Sequence, residues 1–275
     1  MKLKLVRHLW GVDGSLGYEQ YLPRWREVGY EAIEFSIGFV TDRPAFFRLL
    51  KENNLQWVPQ IFSNGFTPAG TVREHLDSLE RQIEECLDHQ PVFFNAHSGS
   101  DTWNQSQAED FYGALLEMEN RYGVPISNET HRSRYFGNPW LTRVILEKFP
   151  MLKLTCDFSH WVCVAERLLP DCGEIITLCA QHCHHVHARV GFEGGPQVSD
   201  PRAPEWSHHL AVHEAWWQQI WQSQKQRGLK VSTLTPEFGP APYLHLLPYT
   251  QAPVANLADI CDWMARRQTE QFRRA

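Results

Sequence analysis

The sequence predicts an α/β fold, a single (β/α)8 TIM barrel that takes up residues 1–275 as one domain. Three observations predict it. Eight short β-rich runs alternate with eight longer segments of helical spacing. A length of 275 residues suits one barrel, since such domains run to roughly 200–250 residues or more. No GxGxxG follows the first run, as a doubly wound dinucleotide-binding sheet would favour.

The elements follow in order. Strands are expected at 2–7, 30–36, 56–62, 92–97, 124–129, 152–157, 184–190 and 230–237, where Val, Ile, Phe and Tyr form nearly continuous apolar runs. Such runs suit parallel strands buried on both faces. Helices are expected at 18–28, 43–52, 71–89, 108–121, 139–148, 165–181, 204–226 and 254–272. The third is the clearest, with Val72, His75, Leu76, Leu79, Ile83, Cys86 and Leu87 at spacings of three and four. Pro139 and Pro204 stand where a first helical turn accepts proline, and Gly228 where a helix ends. The longest irregular stretches, 192–203 and 239–253, follow the last two strands and fall at the face where barrel loops carry function.

Charge and composition limit the partners. Lys and Arg total 26 against 32 Asp and Glu, a net charge of −6, so no basic footprint for nucleic acid is expected. A hydrophobic fraction of 43% with 21% charged residues describes an ordinary globule. No apolar run nears the ~18 residues of a membrane span, and the N-terminus lacks a signal-peptide pattern. A cytoplasmic protein without membrane association is the expectation. Seven cysteines without a CxxC pair argue against a disulfide framework or zinc ribbon and for small buried residues.

Functional side chains of a barrel sit at the C-terminal ends of its strands. Here those ends are polar: Asn95 and His97 in FFNAHSG, Asn128, Glu129 and His131 in SNETH, Asp157 and His160 in CDFSH. The seventh ends in His185, His187 and Arg189 (HVHAR), the eighth in Glu237 (TPEFG). Carboxylates converging on one barrel mouth would repel, and a divalent metal resolves the repulsion. Glu129, Asp157, His187 and Glu237 form an oxygen-rich set with one nitrogen. It suits Mn²⁺, Mg²⁺ or Co²⁺, and Zn²⁺ is compatible with it.

The NETH, CDFSH, HVHAR and TPEFG segments together resemble the xylose-isomerase-like barrel superfamily of sugar isomerases, ketose 3-epimerases, dehydratases and apurinic-site endonucleases. The resemblance implies one divalent metal on Glu129, Asp157, His187 and Glu237, with Glu129 and Glu237 as catalytic acid and base on opposite sides of a sugar carbon. It implies substrate contact for His160 and, for Glu34, either substrate contact or a role steadying the site. Arg189 stands closer to His187 than the epimerase arginine does to its histidine.

The implied activity is isomerisation or epimerisation of a sugar or keto-sugar. A cation stabilises the enediolate left when a proton is removed beside a carbonyl, and a glutamate serves as base. A dehydratase or lyase shares the first step. An apurinic-endonuclease-like phosphodiesterase needs further ligands, and HVHARVGFEGG has no DxH after the seventh strand.

Several other residues carry two readings. His97 and His131 suit either substrate binding or a supporting role, and His185 a packed, hydrogen-bonded one. Trp10, Trp103 and Phe66 fall in top loops where they could stack on a sugar face. Trp216, Trp217 and Trp221 read as outer-helix packing or a homo-oligomer interface. Arg189 and Arg202 could neutralise an acidic substrate group, and Gly194, Gly195 and Pro196 suggest a turn.

Overall fold

In the computed structural model, which describes residues 1–15 and 17–275, eight parallel strands close into a barrel in sequence order. They are β1 (Lys2–His8), β2 (Tyr30–Phe35), β3 (Gln56–Phe62), β4 (Phe94–His97), β5 (Ile126–Glu129), β6 (Lys153–Cys156), β7 (Cys183–His187) and β8 (Val231–Thr235). Around them lie α1 (Leu22–Val28), α2 (Arg43–Glu52), α3 (Val72–Leu87), α4 (Gln105–Tyr122), α5 (Pro139–Lys148), α6 (Phe158–Ala165), α7 (Gly173–His182), α8 (Ser207–Gln226) and α9 (Leu257–Arg274). The predicted barrel is therefore the observed one. Among the described residues, no helix is long and apolar enough to cross a membrane.

Local chemistry sets the helix starts. Thr71 and Glu74 bond reciprocally across the first turn of α3, and Asn104 and Gln107 do the same for α4. Asn138 caps α5 with Pro139 in its first turn, as the sequence predicts. Residues 18–21, expected as helix, form a 3-10 turn before α1.

The expected helix 165–181 is corrected. Helix α6 starts directly after β6, because the Asp157 carboxylate caps it by accepting the Ser159 N–H at 3.1 Å. It stops at Ala165, and Glu166 and Leu169 take left-handed backbone at φ 51° and 54° before α7 begins. Pro170 explains the gap, since it disfavours helical backbone at the residue before it and clashes within a helix.

Alternation along the strands layers the barrel interior. Val6, Ala32, Val58 and Phe93 form a separate buried apolar cluster. Two residues further along their strands stand His8, Glu34, Gln60 and Asn95, all buried. The interior is thus an apolar plug under a polar layer. Leu5, Ile33 and Trp57, one position out of phase, belong to the main core with the helices. Within α8, Trp217 and Trp221 have no exposed surface, so they pack the helix inward and present no interface.

Candidate metal centre and active site

Glu129 ends β5 and His187 ends β7; Asp157 directly follows β6, and Glu237 lies two residues beyond β8. Strands were expected to run to residues 190 and 237, but the sheet ends earlier, so Arg189 and Glu237 rise above it on loop backbone. Donor atoms of Glu129, Asp157, His187 and Glu237 lie within 4.8 Å of one another, and all four residues are buried.

The imidazole of His187 joins two layers. Its Nε2 lies 2.9 and 3.1 Å from the Glu34 carboxylate oxygens. On the other side, Nδ1 lies 2.8 Å from Glu237 Oε2 and 3.6 Å from Glu129 Oε2. Glu34 also accepts from Asn95 Nδ2 at 2.8 Å and Thr235 Oγ1 at 2.6 Å. Asn95 Nδ2 contacts Glu129 Oε2 as well, at 2.8 Å. His185, packed below, bonds Thr233 and Thr235 at 2.7 and 2.9 Å.

Arg189, fully buried, brings its Nη2 to Asp157 Oδ2 at 2.5 Å, Glu237 Oε2 at 3.1 Å and His160 Nε2 at 2.8 Å. Above it lies the Tyr243 ring, 5.2 Å from the guanidinium carbon, with Trp10 edge-on to Tyr243 at 4.8 Å. Gly239 makes room for this stack, since any Cβ there would overlap the Trp10 ring. Gly191 has the same kind of constraint, its position for a Cβ falling 2.6 Å from the Ser159 carbonyl oxygen.

The electrostatics divide the carboxylates. Burial alone would raise all of them. For Glu34 this is outweighed by His187 and His185, and for Glu129 by His97 and His187, so both lie well below the usual range. Glu237, beside Arg189 and His187, falls to about 2. Asp157 goes the other way, to about 6, because burial and the charges of Glu237 and Glu129 outweigh Arg189. His187 is raised well above an ordinary histidine: burial opposes its charge, but Glu237, Glu34 and Glu129 surround it.

A cavity of about 550 Å³ opens over this centre, with Trp10, His97, Arg189 and Glu237 in its lining. Glu34 and His160 were implied as substrate contacts, and neither reaches the lining. Glu34 is engaged by His187, Asn95 and Thr235. His160 bonds Arg189 from behind, its ring 4.0 Å from that of His131. His97 places Nε2 2.9 Å from Glu129 Oε2, and burial pushes the neighbouring His131 down to about 3.

Phe66 lines the cavity, whereas Trp103 is buried against His75 and Phe111 and is not available to stack on a ligand. Arg202 is paired with Asp200 at 2.6 Å. Gly194 and Gly195 lie in the turn closed by the Phe192–Gly195 bridge.

Sequence reasoning missed His8, Gln60 and Tyr243. His8 accepts the Trp10 N–H on Nδ1 at 2.7 Å and points Nε2 at Glu237 Oε1, 3.5 Å away. It ends the first strand, so the strand-end rule that found the others would have found it.

The residues fit a divalent cation. Glu129 Oε1 is buried without a hydrogen-bond partner, and it belongs to a set of three carboxylates and one imidazole whose donor atoms lie within 4.8 Å of one another. An unsatisfied carboxylate oxygen this deep is costly, and three carboxylates crowded together are a pattern that an added cation would relieve. Two other groups converge nearby, Glu34–His185–His187 and His97–Glu129–His131.

No family model matches the chain, and no curated protein matches it. Solved structures do. A D-allulose 3-epimerase from Methylomonas sp. superposes with a TM-score of 0.63 at 13% identity, over 98% of this chain and 97% of that one. A xylose isomerase-like TIM barrel protein from Mycobacterium smegmatis, in complex with magnesium, gives 0.63 at 11% identity over 98% and 96%. The probable 3-DHS dehydratase AsbF from Bacillus anthracis gives 0.60 at 13% identity over 97% and 98%. Its fold is that of the xylose isomerase-like TIM barrels, as the strand-end motifs implied.

Proposed function

We infer that this chain is a divalent-metal-dependent isomerase or epimerase of a sugar or keto-sugar, with Glu129, Asp157, His187 and Glu237 holding the metal. The observation that carries the reading is the convergence of four buried donor residues, Glu129, Asp157, His187 and Glu237, within 4.8 Å of one another. Magnesium is bound by the Mycobacterium neighbour, and sugar epimerisation belongs to the Methylomonas one. When bound, the metal would supply positive charge against the negative charge that develops on a substrate carbonyl oxygen.

The chain's own residues do the rest. Glu129 and Glu237 are held ionised, so either can accept a proton from carbon at neutral pH. Each has a histidine on one oxygen: His97 at Glu129 and His8 at Glu237. These contacts orient the two carboxylates. In epimerisation one takes the proton from one face of the carbon, and the other returns a proton to the opposite face after first taking one up from solvent or substrate. Arg189 tethers Asp157 to Glu237.

The experiment is solvent exchange in ²H₂O, with a panel of keto-sugars and added Mn²⁺. Deuterium at a carbon beside the carbonyl, absent in Glu129→Gln and Glu237→Gln, is the expected result. Loss of water from the product would instead assign a dehydratase. Absence of exchange on every keto-sugar, or full activity in both variants, would overturn the reading.

A further inference from the structure

The cavity has two chemically different halves. Its polar floor ends at His97, Arg189 and Glu237, which the proposed sugar chemistry uses. Opposite stands a wall of four phenylalanines, Phe35, Phe39, Phe62 and Phe66, supplied by the ends of β2 and β3 and the segments after them. That wall has no part in moving protons.

The rings form a continuous run. Phe35 lies 5.7 Å from Phe39, Phe39 5.8 Å from Phe66 at 19°, and Phe66 4.7 Å from Phe62. Phe62 then packs on His97 at 4.6 Å, and His97 holds Glu129. At the mouth the run is open to water: Phe39 is 49% exposed and Phe66 68%. Large exposed aromatic side chains that continue a cavity wall are a recurring sign of a ligand surface.

The wall is also built to stay in place. Arg134, buried, donates to the Ser63 carbonyl at 2.7 Å and to that of Gly65, fixing the turn that carries Phe66. A further guanidinium contact, to the Gly99 carbonyl at 3.4 Å, ties the same turn to the loop after β4.

We propose that the substrate is bipartite: a keto-sugar, its carbonyl on a ring carbon away from the glycosidic bond, carrying an aromatic aglycone, with the sugar on the polar floor and the aromatic ring against Phe39, Phe62 and Phe66. This deepens the proposed function and rests on it for the sugar half. A free monosaccharide has only small C–H faces to set against aromatic rings, and seated on the polar floor it would cover this four-ring wall only in part. An aromatic ring would meet it edge-to-face or offset, at the 4.5–7 Å separations such pairs prefer. A volume of about 550 Å³ holds a ligand of that size.

The test is calorimetric binding of matched methyl and phenyl β-glycosides of glucose, galactose, mannose and xylose to the Mn²⁺-loaded protein. For at least one sugar the phenyl glycoside should bind at least tenfold more tightly than its methyl partner. In Phe39→Ala and Phe66→Ala that phenyl-to-methyl ratio should drop at least fivefold. Both positions are open to solvent, and Phe66→Leu serves as a milder third variant. Equal affinities within every pair, or a ratio unchanged in the variants, would overturn the inference. Failure of all eight glycosides to bind, while free keto-sugars exchange deuterium, would overturn it and leave the proposed function standing. A phenyl preference without any exchange on keto-sugars would support the aromatic wall and overturn the isomerase reading instead.

Discussion

Glu34 holds His187 by its Nε2 at 2.9 Å, and this leaves Nδ1 turned towards Glu237 and Glu129. A carboxylate on the far nitrogen fixes the ring orientation and, once His187 sheds its second proton to bind a cation, keeps the remaining proton on Nε2 and the lone pair on Nδ1. Glu34→Gln should therefore weaken metal affinity by about 10–100-fold although no ligand is removed. Titration with Mn²⁺ or Zn²⁺ checks it; unchanged affinity would show that Glu34 does not orient the ligand.

The two glutamates carry the proton transfers. Glu129→Gln and Glu237→Gln should each lower turnover by about 10²–10⁴-fold, the usual worth of acid–base help. Circular dichroism of both variants should match the parent. Parallel steady-state rates would check the loss, and a variant that keeps its full rate would remove that residue from the chemistry.

Metal affinity should depend on pH in a two-step fashion. Asp157 titrates at about 6 and His187 is raised well above its ordinary value, so below pH 6 both must shed a proton to bind a cation. The logarithm of affinity should rise with a slope near two below about pH 6 and near one above it. For folding without metal the sign at Asp157 is the reverse. Its raised value contributes stability that is complete below the unfolded value of about 4 and lost as pH rises through 6. Calorimetry in buffers of different ionisation enthalpy counts the released protons.

Arg189 sits between Asp157 and Glu237, so Arg189→Ala leaves buried Asp157 without its countercharge and Glu237 with His187 alone. A loss of about 3–5 kcal/mol is expected in metal-free protein. Added Mn²⁺ should raise the Tm of the variant by more than that of the parent, because the ion supplies the missing charge. Equal gains in both would show that Arg189 and the metal do not share this centre.

Trp217→Ala should cost about 3–5 kcal/mol in urea unfolding and leave the oligomeric state as it was, since its indole is wholly buried. A change of oligomeric state without loss of stability would contradict that placement.

Much of this was legible in the sequence, for identifiable reasons. Parallel strands buried on both faces give apolar runs that end abruptly in polar residues, and Glu129 and His187 were found by that edge. What periodicity could not give is how far a strand stays in the sheet, so Arg189 and Glu237 were read as strand residues and stand on loops. Helix α6 was hidden because FSHWVCVA is short and, apart from the adjacent Ser159 and His160, apolar, so it shows no repeating polar face. His8 escaped because its strand end, VRHLW, runs on into apolar residues. The contact of Glu34 with His187 joins residues 153 positions apart, which no local pattern reports.

The most direct measurement is the metal content of the purified protein after loading with Mn²⁺, set beside Glu129→Ala, Asp157→Ala, His187→Ala and Glu237→Ala. One tightly held ion per chain, lost or weakened at least tenfold in every variant whose fold is intact, is the predicted result. No bound ion in the parent, or an ion that all four variants retain with unchanged affinity, would contradict it.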